Sequence, residues 1–534
     1  MKKPLLWLPV IMATIGAAVL RLPSLERRPM HCDEAVHADK IGTLLEGGGY
    51  RYNPTEYHGP TLNYFTLIPA RLRGFKRYVE LDEATLRIVP ALFGIALVPL
   101  LFLWKEGLGL RAVSVAALLL TFSPVMTYYS RYYIQEMLLL FFTCGWLAGG
   151  YRFLCKPTPG WLVFTGVFLG FSHATKETFV LALGSAFAAL GVCRWIGRRR
   201  SANLAGFPVD LRWSTSAIIV VSALTTSFLF HSSFFTYYRG VADSFLTFFD
   251  YMGRIRNAEQ HLHPWYYYFQ TILFFKEPGG PLWTEGMIFL FGCIGLIVAV
   301  RRKHLPGTDP RLLPFLAAYT VILTVTYSLI SYKTPWCLVQ FWLGWILLAG
   351  VGVSWLIEIV SLKSILKPLL VLPILGMIHL GWQAWRASFP MDADPRNPFV
   401  YAHTGHDVFE IVNRIATVSA AHPDGNRVPI QIYSKENLWP LPWYLRRFPQ
   451  VRWWKGVSEK AANAPVILAT ADMESAVVHK LYEIPPPGER ELYMRMFDRY
   501  VELRPQVEMR GYVARSLWDD YLRHTADSNL TARP

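Results

Sequence analysis

Residues 112–151 read AVSVAALLLTFSPVMTYYSRYYIQEMLLLFFTCGWLAGGY. Two apolar blocks, 111–128 and 135–151, flank a polar turn, in which Tyr128-Tyr129-Ser130-Arg131-Tyr132-Tyr133-Ile134-Gln135-Glu136 runs straight into Met137-Leu138-Leu139-Leu140-Phe141-Phe142. A bilayer-crossing helix needs about 20 mostly apolar residues. The stretch therefore reads as two spans joined at the membrane surface, with Glu136 about one turn inside the second. Blocks of the same kind occupy 5–21, 85–104, 160–175, 178–196, 214–231, 284–300, 312–330, 337–357 and 366–385, which brings the number to eleven. Composition agrees: 53% of the 534 residues are hydrophobic and only 17% charged, against about 25% charge in soluble globular chains. Disordered, collagen-like and disulfide-scaffold classes are excluded, and the chain reads as a polytopic α-helical membrane protein.

The net charge of +15 is unevenly placed. From Arg386 onward there are 19 basic and 18 acidic residues, so the surplus belongs to the membrane part. It gathers in the connections 105–111, 152–159, 194–212, 301–311 and 358–367, where Arg198-Arg199-Arg200, Arg301-Arg302-Lys303, Lys363 and Lys367 stand. Basic residues beside spans mark the cytoplasmic side, so the surplus sets topology and gives no reason to expect nucleic acid. The first block begins Met1-Lys2-Lys3 with no small-x-small cleavage signal and reads as a retained signal anchor. The expected protein lies in the cytoplasmic membrane, with its N-terminus inside and its tail outside. The domains are then 1–387, a transmembrane domain with large outer loops at 22–84 and 232–283, and 388–534, a small extracytoplasmic α/β domain. The tail shows an amphipathic stretch, Val408–Val418, and β-like runs at Val428–Tyr433 and Pro465–Ala469. The six cysteines form no CxxC and no zinc spacing.

Ionisable groups against a bilayer are costly and tend to be functional. The first outer loop carries His31-Cys32-Asp33-Glu34-Ala35-Val36-His37 and, further on, Tyr57-His58-Gly59-Pro60-Thr61-Leu62-Asn63. Adjacent carboxylates repel, so Asp33-Glu34 suits a site that binds a metal, a basic group or a hydroxyl, or else a helix start. Other outer positions hold Arg131 and Glu136, His173, Lys176 and Glu177, and Tyr332-Lys333-Thr334-Pro335-Trp336. Cations on that side oppose the topology rule and point to a bound anion. The phosphate of a membrane lipid would satisfy them, and a carboxylate beside it would serve as the base for an acceptor hydroxyl. His261-Leu262-His263-Pro264-Trp265-Tyr266-Tyr267-Tyr268 reads as an interfacial aromatic belt.

The order of these motifs over roughly 1–345 resembles the GT-C membrane glycosyltransferases. The likeness is strongest to the protein O-mannosyltransferase and aminoarabinose-transferase branch. An acidic pair (Asp33-Glu34), a His-Pro-Pro-Leu-like motif (His58-Gly59-Pro60-Thr61-Leu62), an Arg-x-x-Pro opening (Arg87 to Pro90), Ser130-Arg131 with Glu136 in place of Asp, Lys176, and Lys333-Thr334-Pro335-Trp336 follow one another. Trp439-Pro440-Leu441-Pro442-Trp443-Tyr444-Leu445-Arg446 is similar to a bacterial and archaeal flippase-associated Agl-type subgroup. The resemblance implies an inverting, mannosyltransferase-like transfer of a sugar from a polyprenyl- or dolichyl-phosphate donor to an extracytoplasmic glycan, lipid or protein acceptor. It implies Asp33 as base or acceptor-orienting carboxylate, with Glu34 beside it at the donor or a metal. Arg87 would support the pair, and His58 would contribute to substrate binding. Arg131, Lys176 and Lys333 would hold the phosphate, with Glu136 orienting Arg131. Ligand types for a divalent ion are present at His31, Asp33, Glu34 and His37, without a diagnostic spacing. The alternatives are a transporter or flippase for a lipid-linked sugar, and a non-catalytic assembly protein acting through its tail.

Overall fold

Proline at 124 breaks the apolar run 111–128. In the computed structural model, which describes residues 7–54, 58–199, 213–256, 261–301, 305, 307–362 and 364–531, one helix ends at Ser123 and another starts with Pro124 as its first residue. Proline's ring forbids continuation of the earlier helix yet suits a first helical turn. The two helices meet at 61°. Met1-Lys2-Lys3, Tyr57, Arg200, Arg302-Lys303 and Lys363 lie outside the described residues.

The chain divides into two compact units: Met1–Leu25, Thr43–Lys76 and Asp82–Tyr401 form the first, and Glu26–Gly42, Arg77–Leu81 and Ala402–Pro534 the second. The principal helices of the first unit are α1 (Leu8–Arg21), the C-terminal end of α2 (Cys32–Leu45), α3 (Thr61–Leu72), α4 (Glu83–Leu100), α5 (Leu110–Phe122), α6 (Pro124–Ser130), α7 (Glu136–Cys155), α8 (Pro159–His173), α9 (Phe179–Arg199), α10 (Trp213–His231), α11 (Arg239–Arg256), α12 (Gly286–Val300), α13 (Leu312–Leu329), α14 (Val339–Leu362) and α15 (Val371–Ser388). Each of the eleven apolar blocks is therefore mostly helical over its described residues. Seven of the described helices are long and apolar enough to cross a membrane, and α5 with α6 makes an eighth if the bent pair is one span. Helices α1, α8 and α12 have only 14, 15 and 15 residues. At 1.5 Å per residue they fall short of a hydrocarbon core about 30 Å thick, so eleven full-length spans are not what the described residues display.

Two devices that are not ion pairs help hold this unit together. At the α5–α6 break the carboxylate of Glu285 is fully enclosed. It accepts from Ser123 Oγ (2.6 Å), the Val125 amide (2.8 Å) and Trp342 Nε1 (2.8 Å), tying the break to α12 and α14. The Val125 amide is one of the first-turn donors that α6 itself cannot satisfy. Between α12 and α14 the backbones touch through glycines: a Cβ at Gly295 would collide with the Leu348 carbonyl, and one at Gly352 with the Phe291 carbonyl. Small residues that let helices approach closely are the main adhesive inside a bilayer. Gly352→Leu is expected to push the helices apart and to cost about 1–3 kcal/mol or more, read as a lowered thermal midpoint of the detergent-solubilised protein.

The second unit contains the start of α2, α16 (Asp407–Ala420), α17 (Arg515–Thr531) and a mixed sheet. Its strands are β1 (Ile430–Tyr433), β2 (Val451–Trp454), β3 (Val466–Thr470), β4 (Tyr493–Arg495), β5 (Glu502–Arg504) and β6 (Val507–Ala514). The order is β2-β1-β3-β6-β4, with β5 also on β6; β1 is parallel to β2 and β3, and β6 runs antiparallel to its neighbours. All residues of β1 and β3 are buried, as in strands covered on both faces, and the one side-chain amide in β1, Gln431, donates to the Ala462 carbonyl and accepts from Tyr433 OH. On one face Val408, Ile411, Ile415 and Val418 of α16 pack against Ile430, Ile432, Val466 and Leu468; on the other, Ile467 and Ala469 meet Met473 and Val477.

Candidate functional site

In the first unit two sequence motifs dock onto each other. The amide of Gly59 donates to the Thr175 carbonyl (3.1 Å), that of Thr61 to the Ala174 carbonyl (3.3 Å), and the Thr61 and Thr175 hydroxyls are 2.8 Å apart. The close approach requires a glycine: a Cβ at residue 59 would strike the Ala174 carbonyl. Gly59→Ala should therefore loosen the motif, with a loss of about 1–3 kcal/mol of stability, read as a lowered thermal midpoint of the detergent-solubilised protein.

Docking brings His58 to Glu177. The imidazole Nδ1 lies 2.9 Å from Glu177 Oε2, and Tyr52 OH donates to Oε1 at 3.1 Å. Glu177 is buried, whereas about a quarter of the His58 side chain is exposed. Burial works to raise the Glu177 carboxyl, but the charge and hydrogen bond of His58 outweigh it and hold it below the ordinary value. The neighbouring Lys176 turns the other way and forms a buried ion pair with Glu136, at the first residue of α7. Gln340 of α14 donates to the Glu136 carbonyl at 3.0 Å. Glu136 was expected to orient Arg131; it is paired with Lys176 instead.

Lys333 is enclosed at the 331–336 turn. Its ammonium donates to the carbonyls of His263 (3.1 Å) and Ile330, and its amide to the His261 carbonyl (2.9 Å). Burial pushes the ammonium below the usual lysine value. Cys337, four residues further on, lies within electrostatic reach of both Lys176 and Glu136, so this turn neighbours the ion pair. His261 and His263, expected in an aromatic belt, converge on Tyr401 OH at 2.5 and 3.2 Å.

Two arginines act on backbone. Arg131 donates to the carbonyls of Arg21 (3.0 Å), Pro23 (2.7 Å) and Ser24 (3.1 Å), with its guanidinium over the Phe389 ring. Arg87, fully buried on α4, donates to the Leu25 carbonyl at 2.7 Å. Together they staple the segment that leads into the acidic motif.

In the second unit the carboxylates of that motif have opposite fates. Glu34 is fully buried: it accepts from Arg28 (3.1 Å) and from the His31 amide (3.0 Å) at the start of α2. That reach back from the first turn to an unsatisfied amide is the second half of a capping box. The Asp33 side chain stays 44% exposed, with the His31 ring alongside at 3.9 Å. The motif is held against the Trp439–Arg446 stretch: the Met30 amide donates to Tyr444 OH (2.8 Å), and Arg446 donates to the Leu81 carbonyl (2.6 Å). Burial and the Asp33 charge push the Cys32 thiol up to about 12. Among the described residues no three His, Cys, Asp or Glu side chains group as a metal site, so His31, Asp33, Glu34 and His37 do not form a ligand set. Sequence reasoning gave no role to Glu177, Tyr52, Gln340 or Glu285. Glu177 carried a signal, as the second of two adjacent charges at a span boundary; the others carried none.

The His58–Glu177 pair and the Lys176–Glu136 ion pair lie within the stretch that a family model matches. A sequence model of the dolichyl-phosphate-mannose-protein mannosyltransferase family matches residues 58–226. No curated protein matches the chain by sequence. Among solved structures, ArnT from Cupriavidus metallidurans in the apo state is similar over 95% of this chain and 98% of its own, at 15% identity and a TM-score of 0.58. The same protein bound to undecaprenyl phosphate gives 96% and 98%, 15% and 0.55. The archaeal oligosaccharyltransferase AglB from Archaeoglobus fulgidus, in complex with an inhibitory peptide and a dolichol-phosphate, gives 90% and 71%, 13% and 0.54. Across both units, then, the chain has the fold of the GT-C membrane glycosyltransferases.

Proposed function

We propose that this protein is an inverting glycosyltransferase that moves a sugar from a polyprenyl- or dolichyl-phosphate donor to an acceptor outside the cytoplasm. The N-terminus is cytoplasmic and the second unit extracytoplasmic. The observation that carries the reading is the unequal acidic pair: Glu34 is locked into the fold while Asp33 remains open. Asp33 takes the proton from an acceptor hydroxyl. The acceptor oxygen attacks the anomeric carbon from the face opposite the phosphate, and the sugar–oxygen bond breaks with its electron pair leaving on the lipid phosphate. Positive groups stabilise that leaving charge: Lys333, whose buried ammonium gains most from an anion, and Lys176, shared between Glu136 and the phosphate. Arg87 and Arg131 hold the 21–25 segment, and Glu177 orients His58 towards the substrate. The likenesses to ArnT with undecaprenyl phosphate and AglB with dolichol-phosphate support a lipid-phosphate donor.

The test is mass spectrometry of lipid-linked sugars and surface glycans in the host cell with and without the gene. Loss of one sugar from a surface glycan, with accumulation of its polyprenyl-phosphate carrier, is the expected result. A donor that changes leaflet without being consumed would replace this reading with a transporter.

A further inference from the structure

The second unit holds a cavity of about 340 Å³ beside β4 and β6, at the small end of the ~300–1,000 Å³ typical of ligand sites. Glu508, Arg510 and Tyr512 stand at alternate positions of β6 and so share one face. Arg495 of β4 is the register partner of Tyr512. The loop after β4 contributes Asp498, Arg499 and Tyr500. Most of these groups are fixed by one another. Arg510 pairs with Glu474 and Glu508, Tyr512 OH donates to Glu474 at 2.6 Å, and Arg499 is clamped by Asp407 at 2.8 Å and by Glu410. Among the described residues the side chains of Arg495 and Asp498, both exposed, have no hydrogen bond or ion pair within the chain, so one donor fork and one acceptor remain open in a wall that is otherwise set. Tyr500 is 55% exposed beside them.

Charge decides the ligand class. The lining carries three arginines and three carboxylates, with no surplus of either sign. A phosphate or nucleotide site would show an excess of cations, and an apolar ligand would not be met by six charges. Balanced charges flanking a tyrosine face suit an uncharged molecule with many hydroxyls and apolar ring faces. We propose that this cavity binds one or two rings of a neutral glycan, with Arg495 and Asp498 holding adjacent hydroxyls and Tyr500 covering a ring face. That this glycan is the acceptor rests on the transferase reading above; the preference for a neutral sugar rests on the cavity alone.

The experiment uses the purified full-length chain in detergent on a printed array of neutral and uronate-containing di- and trisaccharides. Wild type is expected to bind neutral members. Arg495→Ala, Asp498→Asn and Tyr500→Ala should each weaken that binding at least tenfold, with undecaprenyl-phosphate affinity and thermal midpoint unchanged. No binding by wild type, preference for the uronates, or variants that bind like wild type would each overturn the assignment. Glycan binding that is lost in the variants, in a protein that transfers no sugar, upholds the cavity and removes the transferase.

Discussion

Asp33→Asn is expected to lower kcat for sugar transfer by about 10²–10⁴-fold, the range for a positioned general base, while the affinity for a polyprenyl-phosphate sugar is kept. The asparagine has nearly the shape of the aspartate and can still accept a hydrogen bond from the acceptor hydroxyl, but it cannot take the proton. Because the Asp33 side chain is 44% exposed, the exchange leaves no buried group unpaired and the thermal midpoint should not move. Glu34→Gln is the contrasting variant. It leaves the Arg28 guanidinium, only 7% exposed, facing an uncharged partner, and breaking a buried pair costs about 3–5 kcal/mol. Its loss of activity should follow loss of folded protein. Initial rates, donor affinity and thermal midpoints of the two variants separate the roles, and a wild-type rate for Asp33→Asn would remove the base.

Glu136→Gln and Lys176→Met should each cost about 3–5 kcal/mol, because either leaves one member of an enclosed ion pair unmatched. The double variant Glu136→Leu with Lys176→Met should recover most of that stability, since apolar replacements of a buried pair are commonly near neutral. It should not recover the donor. If Lys176 shares its protons with the lipid phosphate, losing that charge-assisted bond forfeits about 1.5–3 kcal/mol, about ten- to hundredfold in affinity for undecaprenyl phosphate. A stable double variant that binds the lipid as wild type does would reduce the pair to a structural role.

The apolar blocks could be read because a span must be continuous in sequence. Lys176 and Glu136 also announced themselves, as charges where the lipid-facing pattern tolerates none. Their pairing did not, because forty residues of chain separate them and composition holds no distances. Arg131 sits next to the turn and looked like the natural partner of Glu136, yet its guanidinium is engaged by the carbonyls at the end of α1. Those carbonyls are backbone acceptors, which every residue possesses and no motif reports. The same blindness hid Glu285: it binds a serine, an amide and an indole, none of which carries a charge that would advertise a partner. The difference between Asp33 and Glu34 was half visible, since a glutamate three residues beyond His31 matches a capping pattern, but only burial separates the fixed carboxylate from the open one.

Residues 26–42 and 77–81 group with the tail rather than with the helices on either side of them. Any exchange of the second unit between chains of this fold therefore needs a discontinuous piece. A graft that moves only 402–534 would separate Tyr444 from the Met30 amide and Arg446 from the Leu81 carbonyl, leaving the acidic motif on a foreign support. Moving the three segments together transfers the carboxylate and its scaffold as one inheritance.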